Sequence, residues 1–267
     1  MNILDKIIAN KRIEVEEQKK QMSIDSMLRI ITDSVIRPKS FKESLAGSST
    51  GIIAEFKRKS PSKGWIFENA RIEDLVYVYS QSGASAISVL TDEQFFGGNL
   101  EDLKTARSLT DTPLLRKDFM IDEYQLYQAA MYGASAILLI ASALSISQTK
   151  DLAVKSKKLG LDVLLEIHNE KELDHINEYV DVVGINNRNL GNFVTDVQIS
   201  FDLGEKIPSE FLKISESGIS DSQTVKDLRQ VGFRGFLMGE NFMKTSNPGL
   251  ALAEFIKELQ NGSNGTI

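Results

Sequence analysis

Six residues of this chain have the types and positions to share acid–base chemistry: Glu55, Lys57, Lys117, Glu166, Asn186 and Glu216. Each stands at or near the end of a short apolar run. A charged side chain in such a run must be paired or held at a solvated rim. One residue of this kind reads as a rim salt bridge; six of them on five runs read as one polar cup. In a cup of low dielectric, lysines and glutamates shift one another's pKa, the ordinary route to an acid and a base near neutral pH. Asp118 reads as a partner or helix cap, and Arg116, alternating with Lys117, points outward.

Around these residues lie weaker signals, each with a plainer reading. Ser60, Pro61, Ser62 and Lys63 in RKSPSKGW suit an anion-binding flap or an ordinary turn-rich loop. Ser217-Gly218 and Gly239-Glu240 place glycine where a backbone N–H can approach a phosphate, with helix N-termini behind them. Glycine at such turns is also plain turn chemistry, and the Glu240 side chain must point away from any phosphate. Phe95 and Phe96 offer a wall for an aromatic ring or pack into a helix layer. Trp65 is a flap aromatic or an edge-packing residue. His168 and His175 read as structural. With two histidines and no cysteine, no metal site is expected.

The elements that must position these side chains follow one repeated pattern from about Gly51 onward. Eight apolar runs recur: Ile52–Lys57, Ala86–Thr91, Pro113–Asp118, Ala136–Ala141, Asp162–Ile167, Val182–Asn186, Leu212–Glu216 and Gly235–Gly239. They are nearly continuous and not alternating, which marks a parallel sheet covered by helices. Helical spacing joins them at Arg71–Gln81, Leu100–Leu109, Asp122–Tyr132, Ser147–Leu159 and Ser220–Val231. Ser145, Ser147 and Ser220 are candidate N-caps. Gly83, Gly133, Gly160 and Gly232 stand where a left-handed residue ends a helix. Eight such units predict an α/β fold, the (β/α)8 TIM barrel, over residues 51–260. A doubly wound sheet is the alternative, though its usual strand count is nearer six. Residues 1–50 predict a helical extension packed on the barrel: one helix over 3–21 with Ile3, Leu4, Ile7, Ile8 and Val15 on a broad face, another near Ser23–Ile31, then SFKESL. It plugs one barrel end or lids the active-site end. Residues 261–267 are expected to lack fixed structure.

Composition narrows the classes. The chain has 267 residues with 31 Lys+Arg and 37 Asp+Glu, a net charge of −6. That argues against nonspecific nucleic-acid binding, which needs a basic surface. The absence of cysteine excludes a disulfide scaffold and a thiolate nucleophile. The first residues are too charged for a signal peptide. The longest apolar run, Ala136 to Ala143, falls far short of the ~20 residues of a membrane span. A cytoplasmic protein with no nucleic-acid or membrane partner is expected.

Seven ordered motifs then resemble one family. EFKRKSPSKG (55–64), FGG (96–98), LRKDF (115–119), LLEIHN (164–169), GINNRNL (184–190), SESGI (215–219) and FLMGENFM (236–243) are similar to the indole-3-glycerol phosphate synthases. The resemblance covers the whole chain. It implies ring closure of 1-(2-carboxyphenylamino)-1-deoxyribulose 5-phosphate with loss of carbon dioxide and water, without metal or cofactor, by a monomer acting on a small phosphorylated substrate. It implies Lys117 as general acid, Glu166 as its acid/base partner in dehydration, and Glu55 and Lys57 in ring closure. Asn186 and Glu216 would orient the reacting atoms. Arg188 and Ser60 would contact substrate, with Pro61 and Ser62 in the same flap. Ser217, Gly218, Gly239 and the Glu240 backbone would hold the phosphate, with Leu237 close by. Phe96 and Leu190 would sandwich the ring. Relatives often carry Ser at the positions of Glu240 and Asn187. A Schiff-base aldolase and a noncatalytic binding barrel are the alternative readings.

Overall fold

The computed structural model describes residues 2–191 and 193–261. Eight parallel strands close into a barrel: β1 (Ile52–Phe56), β2 (Ala86–Leu90), β3 (Leu114–Lys117), β4 (Ala136–Ile140), β5 (Asp162–Ile167), β6 (Val182–Asn186), β7 (Leu212–Glu216) and β8 (Phe233–Met238). Each pairs with its neighbours in sequence, and β8 closes on β1 with Leu237 opposite Ile53. The doubly wound alternative is thereby set aside.

Strand parity decides what faces where. Ile53, Leu115, Leu138, Leu164, Val182 and Ile214 fill the barrel interior. Their sequence neighbours Ile52, Leu114, Ile137, Val163 and Val183 pack outward under the helices. The same parity carries Glu55, Lys117, Glu166, Asn186 and Glu216 inward at the C-terminal end. Register sets them side by side, with Asn186 opposite Glu216 and Glu166 opposite Ile140. Arg116 points outward as expected, buried beneath the helices, where it donates to Gln125 O and Gln128 Oε1 and pairs with Asp118.

Most elements end within one or two residues of expectation, and three differences have a visible cause. The last strand begins at Phe233, ahead of Gly235, because Phe233 pairs with Lys213 before the register shifts. The resulting irregularity turns Arg234 to solvent, so no clean apolar run marks the start. The helix after β7 is capped by Asp221, whose side chain accepts from Thr224 N, and not by Ser220. Ser145, not Ser147, caps Ile146–Lys158, within a capping box with Gln148. The four helix-ending glycines, 83, 133, 160 and 232, all have positive φ.

The N-terminal segment covers both barrel ends, with a different helix at each. Helix α1 (Ile3–Gln21) crosses the C-terminal mouth, where Ile3, Leu4 and Ile7 face the cavity. Its Lys11 is fully buried, with Nζ 3.0 Å from Asp92 and 2.9 Å from Asp118. Helix α2 (Ile24–Asp33) packs Met27 against Val15 and Tyr124, and the Tyr124 hydroxyl donates to Gln18 O at 2.7 Å. Helix α3 (Phe41–Ala46) stops the opposite end with Phe41 and Leu45, both fully buried among the interior side chains. The plug and the lid are therefore both present. The last helix covers Pro248–Asn261, so Asn261, expected in the tail without fixed structure, is helical; residues 262–267 lie outside the described residues. Among the described residues no helix is long and apolar enough to cross a membrane.

Candidate active site

The cup at the strand ends opens into a cavity of about 120 Å³. Its floor is the polar set. Lys117 Nζ lies 3.3 Å from Glu166 Oε2 and 3.7 Å from Glu216 Oε2. Lys57 Nζ lies 2.6 Å from Glu55 Oε1. Ser88, one strand over, donates to Glu55 Oε2 at 3.4 Å. Asn186 hydrogen-bonds Glu166 and accepts the Arg188 N–H at 3.0 Å.

Burial and charge sort these groups into opposite roles. Burial works against the Lys117 ammonium, but Glu166, Glu216 and Glu55 outweigh it and hold its pKa above that of an ordinary lysine. Burial likewise opposes the Glu166 carboxylate; Lys117 and His168 prevail and keep it ionised well below the usual range. Glu55 is also held below its usual value, by Lys57 and Lys117 against burial. Glu216 goes the other way. Burial pushes it up, Lys117 only partly compensates, and Glu166 and Glu55 repel its charge, so it reaches about 8. A neutral Glu216 carboxyl beside an ionised Glu166 is a proton donor next to an acceptor.

The walls hold most of the residues expected there. Ser60, Pro61 and Ser62 line the cavity from the loop after β1, with Ser60 and Ser62 hydroxyls 3.4 Å apart. That loop folds as a small hairpin, Lys59–Ser60 against Gly64–Trp65. Trp65 is half exposed and packs under Lys59, an edge role. Phe96 lines the cavity and Phe95 does not; Phe96 meets Phe119 with ring centroids 5.9 Å apart. Arg188, Leu190, Ser217 and Leu237 complete the lining. Gly218, Gly239 and Glu240 lie outside it. Glu240 turns its carboxylate onto Arg188 at 3.3 Å, while another Arg188 nitrogen donates to Ser62.

Gly239 has a second reason to be glycine. A Cβ there would stand 2.6 Å from Glu55 Oε1 and 2.9 Å from its Cβ. Gly239→Ala is expected to cost about 1–3 kcal/mol by overpacking and to lower kcat by displacing Glu55. Denaturant unfolding and steady-state kinetics check both effects.

Several functional neighbours escaped the sequence reading. Phe119 follows Lys117 by two residues, and strand alternation could have placed it on the cavity side. His168 follows Glu166 by two in the same way. Its Nε2 lies 3.3 Å from Glu166 Oε1. His175, by contrast, is buried against Thr149, 2.8 Å away. Asn187 is fully buried and ties β6 to β7, donating to Ser215 Oγ and to Ser217 O at 3.0 Å and accepting from Ser200. Ser217 sits at φ 66°, a conformation that costs a non-glycine residue about 1–2 kcal/mol. Asn187→Ala, which leaves Ser200 and Ser215 short of a buried partner, is expected to lose about 1–3 kcal/mol of stability. Urea unfolding of the variant measures it.

With the geometry in place, comparison with known proteins is direct. The profile of the family described as indole-3-glycerol phosphate synthase matches residues 4–257. The indole-3-glycerol phosphate synthase of Bacteroides thetaiotaomicron is 56% identical over 259 residues, covering 97% of this chain and 99% of that protein. That of Variovorax paradoxus is 39% identical over 265 residues, covering 96% of this chain and 99% of that protein. Among solved structures, a mutant tryptophan synthase alpha-subunit of Pyrococcus furiosus superposes with a TM-score of 0.60 at 14% identity, covering 79% of this chain and 98% of that one, a likeness of fold alone. The chain belongs to the indole-3-glycerol phosphate synthase family, decarboxylating lyases of tryptophan biosynthesis.

Proposed function

We propose that this chain closes the indole ring of 1-(2-carboxyphenylamino)-1-deoxyribulose 5-phosphate, working in the cytoplasm through six cup residues. The observation that carries the residue assignment is the Lys117 ammonium, held between Glu166 and Glu216 on the cavity floor. In this reading Lys117 protonates the ribulose carbonyl oxygen as the ring carbon bearing the carboxylate attacks. Carbon dioxide leaves and its bonding pair returns to the ring. Glu166 takes the proton lost from the carbon beside nitrogen and returns it to the hydroxyl, which departs as water. Glu55 fixes Lys57 near the attacking centre, and Asn186 and Glu216 orient the oxygen that changes charge.

Binding follows the walls. Phe96 and Leu190 flank the anthranilate ring. Arg188 and Ser60 meet its carboxylate. Ser217 receives the phosphate from the wall, and the backbones of Gly218, Gly239 and Glu240 receive it just beyond the cavity lining. A Schiff-base mechanism fits less well, because it needs a free amine and the carboxylates around Lys117 favour the ammonium.

The test is indole fluorescence on mixing pure protein with this substrate in EDTA. A rising signal supports the reading and its metal independence together. A bound but unconverted substrate would leave a binding barrel.

A further inference from the structure

Behind Glu166 a line of charged groups passes through the cavity wall. Lys117 donates to Glu166 Oε2 at 3.3 Å, and His168 Nε2 lies 3.3 Å from Glu166 Oε1 as an ion pair without hydrogen-bond alignment, a contact of the kind that tightens when substrate binds. His168 Nδ1 in turn meets Glu172 Oε2 at 3.3 Å. Glu172 is fixed by two further hydrogen bonds, from His168 N at 2.7 Å and from Asn169 Nδ2 at 2.7 Å. Exposure rises outward along the line. The side chains of Glu166, His168 and Glu172 are 2%, 11% and 13% exposed. The inner pair faces the reaction cavity, whereas His168 and Glu172 line a second cleft on the outer side of the β5 and β6 ends. The imidazole is the one group of the line that touches a carboxylate at each ring nitrogen.

The reaction proposed above takes up a proton, which such a path would supply. The carbonyl oxygen takes one proton at ring closure and a second on leaving as water. One proton returns from the carbon beside nitrogen. The carboxylate leaves as carbon dioxide without a proton. Each turnover therefore draws one proton from solvent into a chamber roofed by α1.

We infer that His168 passes this proton from the outer cleft to Glu166, and so recharges Lys117 after each turnover. The inference rests on the proposed ring closure. Its electrostatics agree: burial disfavours the imidazolium, but Glu166 and Glu172 outweigh it and raise its pKa to about 10, so the relay is loaded at neutral pH. When Lys117 has given up its proton, the field that held Glu166 ionised weakens, and transfer from His168 becomes easier.

The test uses the full chain with wild type assayed in parallel. His168→Ala is expected to lower kcat at least about ten-fold, short of the 10²–10⁴-fold of a direct acid, with KM unchanged. Added imidazole should enter the space left and restore kcat in proportion to its concentration. His168→Gln, which keeps much of the volume, should be as slow but not rescued. Glu172→Gln, which cuts only the outer link, should make kcat depend on buffer concentration. Wild-type kcat in His168→Gln overturns the inference. So does a folded His168→Ala that is slow and indifferent to imidazole. If His168→Ala does not fold, wild-type, buffer-independent kcat in Glu172→Gln overturns it. An inactive wild type would instead refute the ring-closure reading.

Discussion

Lys117→Ala is expected to lower kcat by about 10²–10⁴-fold while KM for the substrate stays nearly unchanged. The split follows from where the ammonium acts. It is 3.3 Å from Glu166 and 3.7 Å from Glu216 in the free protein, so its charge is already satisfied before substrate arrives. Its proton matters only as negative charge develops on the carbonyl oxygen. A group that contributes only in the transition state changes kcat and kcat/KM together. The variant also loses the cation that lowers the pKa of Glu55 and Glu166, so both carboxyls should titrate higher and the residual activity should fall away at a higher pH on the acid side. Steady-state fluorescence kinetics over a pH series measure both effects. Turnover at the wild-type rate would remove Lys117 from the mechanism.

The second large effect is expected at Lys11, outside the reaction floor. Lys11→Ala should destabilise the protein by about 3–5 kcal/mol, the cost of breaking a buried pair on one side. The ammonium touches Asp92, Asp118 and Glu14, and its side chain is 1% exposed. Its removal strands carboxylates that have no access to water. The pH dependence has a definite sign. Asp118 is buried, which disfavours its charge, yet Lys11 and Arg116 hold it well below its ordinary value. Stability from a depressed carboxylate is present above the unfolded pKa, near 3.8, and is lost as pH falls through the folded one. The deficit of Lys11→Ala should therefore be full at neutral pH and shrink in acid. KM should rise as well, since Asp92 caps the short helix Glu93–Phe96 that carries Phe96. Urea unfolding at several pH values measures the first effect and substrate titration the second. Equal stability at pH 7 would show that the buried pairs contribute nothing net.

The barrel was legible because parallel strands are buried on both faces and their continuous apolar runs end in glycine-marked turns. Lys117, Glu166 and Glu216 were legible for the converse reason: a charge inside such a run needs a partner. Parity then sends all three to one side. What the periodicity could not show is where an amphipathic helix docks. The face of Ile3, Leu4 and Ile7 announces burial but does not name the surface buried, and nothing local marks Lys11 as the residue that crosses it. Glu240 illustrates another limit. Its carboxylate had to avoid a phosphate; that it turns to Arg188 depends on two loops far apart in sequence. Asn187 was passed over because it has the outward parity, where a polar residue carries no chemistry but can still brace the turn at Ser217.

The placement of α1 and α3 has a consequence for the order of events during synthesis. These helices leave the ribosome ahead of their partners: Leu45 lies beside Gly235, and Lys11 waits for Asp92 and Asp118. An emerging chain holds both helices without a docking surface until the sheet has formed and closed on itself. The segment made before the barrel is thus the last to be seated. Partial chains carry an exposed apolar helix face and an unsatisfied lysine, features that distinguish an unfinished barrel from a finished one.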